Sequence, residues 1–233
     1  MLYLDWTYLL ILPAIIFSLV ASVMVKIRFN QFKKQLSARR ITGAEAARLV
    51  LAAAGITSVP ISKVAGELTD YYDPTSDSVH LSASVYDDCS VAAIGVACHE
   101  CGHAIQYAEG YGPVRLRAAI RPAANIGSKL ALPLVFVGLL LGALAPFFAV
   151  VAKIGVACYA LCTLFELLTL PVELDASRRA MQGIENCGIL TESERPAAKK
   201  VLRAAAMTYV AALATSLLQL LRLLLILRGN DRD

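Results

Sequence analysis

Long apolar runs alternate along the chain with shorter segments of mixed polarity, and the two kinds predict different structures. Thr7 to Val25 carries no charged side chain and is close to the length a helix needs to cross a bilayer. Leu130 to Val151 and Ile154 to Val172 are two more such runs, parted only in the neighbourhood of Lys153, and predict a helical hairpin across the membrane. A fourth run, Ala205 to Leu227, continues from a polar helix that opens at Thr191-Glu-Ser-Glu194, the pattern of a capping box. Between the first and second runs the period changes. Thr42-Gly-Ala-Glu45 is another capping box, opening an amphipathic helix that Gly55 closes. Val59 to Gly66 has alternating, β-branched character, with Pro60 restricting it to an edge strand or a strand start. Leu68 to Tyr72 and Ser78 to Ser82 read as strands around the turn signal Asp73-Pro-Thr-Ser-Asp77, hence a hairpin. Ser90 to Ala108 then reads as a helix without proline, stopped by Gly110 and Gly112-Pro113.

Composition agrees with the pattern. The apolar share is 58%, above the roughly one half usual for soluble domains. The distribution of charge is more informative than its sum. Asp5 alone precedes the first apolar run, whereas Lys26, Arg28, Lys33, Lys34, Arg39 and Arg40 follow it. A cleaved signal peptide begins with positive charge, so this run is expected to stay as an anchor. The basic residues place residue 26 onward on the cytoplasmic side and suit contact with anionic lipid headgroups. From Glu67 to Glu109 there is no lysine or arginine but eight acidic residues, an acidic centre suited to capturing cations. Basic residues that bracket apolar runs without interleaved aromatics exclude a nucleic-acid footprint. The six cysteines follow no secreted disulfide pattern, and Cys98 and Cys101 are read as small core residues.

The candidate chemistry sits in the Ser90 to Ala108 helix. His99-Glu-Cys-Gly-His103 has the form H-E-x-x-H. Two imidazoles four residues apart share one helix face and can bind one zinc ion. Glu100, turned about 100° from His99, can reach a water on the metal without ligating. Helical spacing turns Cys98 and Cys101 away from that face. The remaining histidine, His80, alternates with Val79 and Leu81 and is read as structural. Catalytic zinc takes three protein ligands and leaves a position open, and with no spare histidine suitably placed the third is expected to be a carboxylate. Glu173 is the leading candidate, at the end of an apolar run on a second helix. Asp175 is the next, expected instead to orient a ligand histidine. Glu166, seven residues before Glu173 and inside the run, is third. Tyr72, Tyr86, Tyr107, Arg178 and Tyr209 are candidate donors to a developing oxyanion.

Leu68-Thr-Asp-Tyr-Tyr-Asp-Pro74, Val79-His-Leu-Ser82, Ser90 to Ala97, His99-Glu-Cys-Gly-His-Ala-Ile-Gln106, Leu170-Pro-Val-Glu-Leu-Asp-Ala-Ser-Arg-Arg-Ala180 and Val201 to Val210 resemble the YugP-type family of bacterial membrane zinc metallopeptidases. The resemblance spans nearly the whole chain. It implies a neutral zinc endopeptidase of the glutamate-third-ligand type, with one zinc on His99, His103 and Glu173 and with Glu100 catalytic. The expected fold is a mainly α membrane protein of about four transmembrane helices with a small α+β zincin-like cytoplasmic domain. Its parts are an anchor (1–25), a cytoplasmic domain (26–129), a membrane hairpin (130–172), cytoplasmic helices carrying the third ligand (173–204), and a last span and tail (205–233). Asp175, Arg178 and Tyr72 are expected to support the site. The expected location is the bacterial cytoplasmic membrane, crossed several times, with the site facing the cytoplasm. The expected partners are membrane lipid and membrane-proximal polypeptide substrates. An intramembrane protease and a non-catalytic zinc-containing scaffold are competing readings, and a transporter, resting on Glu166 and Arg222 alone, is a weaker third.

Overall fold

The computed structural model describes residues 7–142 and 144–230. In chain order they form α1 (Tyr8–Lys33), α2 (Gly43–Ala53), β1 (Ile61–Val64), β2 (Tyr71–Asp73), β3 (Ser78–Ser82), α3 (Ala83–Tyr86), α4 (Val91–Ala108), α5 (Gly112–Leu140), α6 (Pro146–Asn186) and α7 (Arg195–Asn230). The chain divides into two compact units, one comprising Met1–Val20, Leu116–Leu170 and Thr208–Asp233, the other Ala21–Arg115 and Pro171–Met207.

The first unit is built from apolar helix. Helices α1, α5, α6 and α7 are each long and apolar enough to cross a membrane. Leu9, Leu19, Phe136, Leu140 and Phe147 are each about two-thirds exposed, an outward apolar surface that water does not favour and lipid does. Polar side chains instead meet one another: Thr163 and Ser216 hydroxyls at 2.7 Å, Ser18 and Thr215 at 3.2 Å. Helices α5 and α6 touch at glycines. A Cβ on Gly155 would come within 2.8 Å of the Ala131 carbonyl oxygen, and one on Gly138 within 2.4 Å of the Ala152 nitrogen. Small residues let apolar helices approach closely enough to gain dispersion energy where no hydrophobic drive exists. The break between α5 and α6 lies at residues 141–145, and Lys153, expected beside it, is inside α6. A lone lysine does not stop a helix. Pro146 does set its start, because a first-position proline gives up a donor that has no intrahelical partner.

The second unit surrounds α4. Ser90 caps this helix, its hydroxyl accepting from the Ala93 amide at 3.2 Å. The Thr42–Glu45 box at the start of α2 is complete, each side chain bonded to the other's backbone nitrogen. The box expected at Thr191 is half made. Glu194 accepts from the Thr191 amide at 2.8 Å and from the Ala38 amide at 2.7 Å, but the Thr191 hydroxyl turns to Ser193. Helix α2 lies against α4 across small side chains; the Cys101 thiol, fully buried, approaches the Ala47 carbonyl at 3.6 Å. Cys98 is equally buried, and desolvation pushes both thiols up, so they stay protonated.

The sheet has the order β1-β3-β2. Strand β1 runs parallel to β3 with Ile61 opposite Val79, and β2 runs antiparallel with Tyr71 opposite His80. Pro60 therefore precedes an edge strand, the position a residue without an amide hydrogen can occupy. Strand β2 begins only at Tyr71, because Leu68 takes a left-handed φ of 55° and ends any extended run before it. Val79 and Leu81 are fully buried. His80 alternates to the other face, its Nδ1 2.7 Å from Ser62 Oγ and its Nε2 2.8 Å from Ser78 Oγ, stacked on Tyr71 at 4.5 Å. It is a structural histidine.

Candidate metal centre

Because α4 is regular from Val91 to Ala108, His99 and His103 stand one turn apart, their rings 4.9 Å from centroid to centroid and nearly perpendicular. Glu173, on the part of α6 that belongs to this unit, points its carboxylate between them. Its Oε2 is 3.3 Å from His99 Nε2 and 3.4 Å from His103 Nε2. These donor atoms all lie within 4.8 Å of one another.

Ligand atoms about 2.0–2.1 Å from a tetrahedral zinc stand roughly 3.3–3.4 Å apart, and the two separations around Glu173 Oε2 suit such an ion while also being within reach of a long His–carboxylate hydrogen bond. Two imidazole nitrogens and one carboxylate oxygen are also a donor set that zinc accepts with one position left open. The residues fit the ion. Without it, burial pushes the Glu173 carboxyl up, but bonds and charge from His103 and His99 outweigh burial and hold it well below the usual carboxylate range. For His103, burial works against the charged ring, and Glu173, Glu100 and Gln106 together raise its pKa.

Glu100 is on the same helix, 8% exposed. Burial pushes its carboxyl up, offset in part by His99 and His103, while Glu173 and Asp70 add to the rise. The opposite nitrogens of the two histidines are held as well. His99 Nδ1 lies 3.2 Å from Ser177 Oγ, and His103 Nδ1 lies 3.1 Å from Gln106 Oε1.

Asp175 is near the cluster but does not touch a ligand histidine. Its carboxylate accepts from Gln106 Nε2 at 2.9 Å, from Arg179 Nε at 2.5 Å and from Arg178. Burial would raise it, and these three partners lower it instead. Arg178 is spent on Asp175 and Gln182. The Tyr72 hydroxyl donates to Asp77 at 2.6 Å, and its ring packs on Tyr107 at 5.4 Å. Burial and Asp77 push that phenol up, so it stays a donor, but one committed to the β2–β3 turn. Glu166 belongs to the first unit and is not part of the three-donor cluster. Two residues around the cluster escape sequence reasoning, Gln106 and Ser177. The available signal is spacing: Gln106 is three residues after His103, and Ser177 is four after Glu173, each on its ligand's helix face.

Comparison with known proteins bears on the same residues. A family described as "Putative neutral zinc metallopeptidase" matches residues 7–228. The "Putative membrane protease YugP" of Bacillus subtilis (strain 168) is 43% identical over 226 residues, covering 96% of this chain and 98% of that protein. No solved structure matches the chain. The family match takes in all four apolar helices and the His99–His103–Glu173 cluster alike, and on it the chain belongs to the putative neutral zinc metallopeptidase family.

Proposed function

We propose that the protein is a membrane zinc endopeptidase that holds one zinc on His99, His103 and Glu173 and cuts membrane-proximal polypeptides. The observation that carries the reading is the pair of 3.3 and 3.4 Å separations around Glu173 Oε2. Bound there, zinc supplies Lewis acidity, polarising a peptide carbonyl and lowering the pKa of water at the open position. The chain's own contributions follow from placement. Glu100 takes the proton of the attacking water and hands it to the departing amine. Ser177 and Gln106 fix the two rings so that both Nε2 atoms face Glu173. Arg178 and Tyr72 stand as supporting residues, Arg178 through its hold on Asp175 and Tyr72 through the hairpin turn.

The zincin-like domain in this reading is residues 26–129 together with 173–204, on the cytoplasmic face, with residues 1–25, 130–172 and 205–233 in and around the lipid. The basic run from Lys26 to Arg40 supports that orientation. Helix α4 has thirteen buried residues and is wrapped by α2, α3 and the sheet, which favours a site in a protein core over one immersed in lipid. Glu173 follows an apolar helical segment directly in the chain, hence the expectation of substrates held near the membrane.

Purified protein in detergent or vesicles is expected to cleave an unfolded polypeptide such as casein. A zinc chelator should stop cleavage and added zinc should restore it. Cleavage that persists after bound zinc has been removed contradicts the proposal.

A further inference from the structure

Gln106 is fully buried, three residues after His103 on α4. A carboxamide has two N–H donors and an acceptor oxygen, and a protein interior penalises any of them left unmade. Here every group is used. Nε2 donates to the Val172 carbonyl at 2.8 Å and to Asp175 Oδ2 at 2.9 Å, and Oε1 faces His103 Nδ1 at 3.1 Å. The orientation of the amide is fixed by chemistry. A backbone carbonyl only accepts, and the Asp175 carboxylate, ion-paired with Arg178 and Arg179, accepts too. The nitrogen must therefore face α6 and the oxygen must face the imidazole. An oxygen there obliges His103 Nδ1 to carry a hydrogen, which leaves Nε2 as the metal-facing nitrogen.

The two acceptors on α6 bracket Glu173 in sequence, one residue before it and two after. A single amide thus touches the ring of one donor and the segment that carries another. We propose that Gln106 is the positioning residue that assembles the donor cluster, fixing the His103 tautomer and docking the Glu173 segment of α6 on α4. The inference rests on the reading of the cluster as a metal site. The bond chain closes on itself. Arg179 holds Asp175 and donates from Nη1 to Glu109 Oε2 at 2.6 Å, at the C-terminal cap of α4. Helix α4 therefore grips the same stretch of α6 twice, through Gln106 and through Glu109. Asp175 serves the cluster one bond removed from the histidine, through the amide.

Three histidines in the chain make the test direct. Selective 15N-histidine labelling of the zinc-loaded protein should give a His103 ring bound to metal through Nε2, with a slowly exchanging hydrogen on Nδ1. Zinc affinity, measured by competition with a chelator, should fall about 10–100-fold in Gln106→Leu, the usual cost of losing a group that orients a ligand. A merely structural bond would lower the unfolding midpoint of Gln106→Leu without changing the affinity of the folded protein or the His103 spectrum. That result overturns the inference, as does a wild-type spectrum showing His103 bound through Nδ1, which needs no variant to fold. Wild type that binds no zinc overturns the metal reading itself and this inference with it.

Discussion

Replacing Glu100 by glutamine is expected to lower kcat/KM for peptide cleavage about 10²–10⁴-fold, the range contributed by a positioned general base. Zinc content and the unfolding midpoint should not change. The substitution keeps the size of a side chain that is 8% exposed, so no cavity opens. Burial disfavours the ionised carboxyl, and an uncharged amide of the same shape carries no such penalty. What it removes is the capacity to take and return a proton. The measurement is steady-state cleavage with parallel metal analysis. Full activity in Glu100→Gln preparations with normal zinc would remove Glu100 from the chemistry.

A comparably large effect is expected at a residue that does no chemistry. Gly102 lies between Glu100 and His103, and a Cβ there would come within 2.4 Å of the Ala176 carbonyl oxygen and 3.0 Å of its carbonyl and α carbons. All three are backbone atoms of α6, so no side chain can swing aside. Gly102→Ala has to push the Glu173-bearing segment away from α4. Overpacking of this kind costs about 1–3 kcal/mol. The functional cost is larger, since a misplacement of about 1 Å around a reacting centre can cost roughly 10²-fold. Zinc affinity and cleavage should both fall in the folded variant. Gly112→Ala is the control: nothing lies within 4 Å of its Cβ and its φ is not in the left-handed region. Unchanged zinc affinity in Gly102→Ala would mean that α6 is not held as close as the structure has it.

The parts legible in the sequence are those with local causes. Helix α4 was readable from the Ser90 cap to the Gly110 stop, and its period alone puts His99 and His103 on one face. Counting ligands asks for a carboxylate and ranks Glu173 first, with Asp175 and Glu166 left open. Other features depend on distant chain. The parallel pairing of β1 with β3 is a long-range choice that the Ile61–Val64 run does not encode. Strand β2 is short because Leu68 takes a left-handed conformation, on a residue type that does not announce it. Helix α6 starts at Pro146, seven residues before the Lys153 neighbourhood to which charge alone points. Gln106 was invisible for a related reason. A glutamine three residues after a histidine is a surface residue on most helices, and only the arrival of Val172 and Asp175 from α6 makes it a buried, fully bonded amide. The same arrival explains why Asp175 acts through Gln106 rather than on a histidine directly.

The central claim is that one zinc ion is held by donors from two helices, His99 and His103 on α4 and Glu173 on α6. Metal analysis of purified wild type beside Glu173→Ala and Asp175→Ala tests it most directly. The account predicts about one zinc per wild-type chain, as for a three-ligand catalytic site, near-complete loss in Glu173→Ala, and weakened binding in Asp175→Ala. Full zinc occupancy in Glu173→Ala, with loss confined to Asp175→Ala, would contradict it.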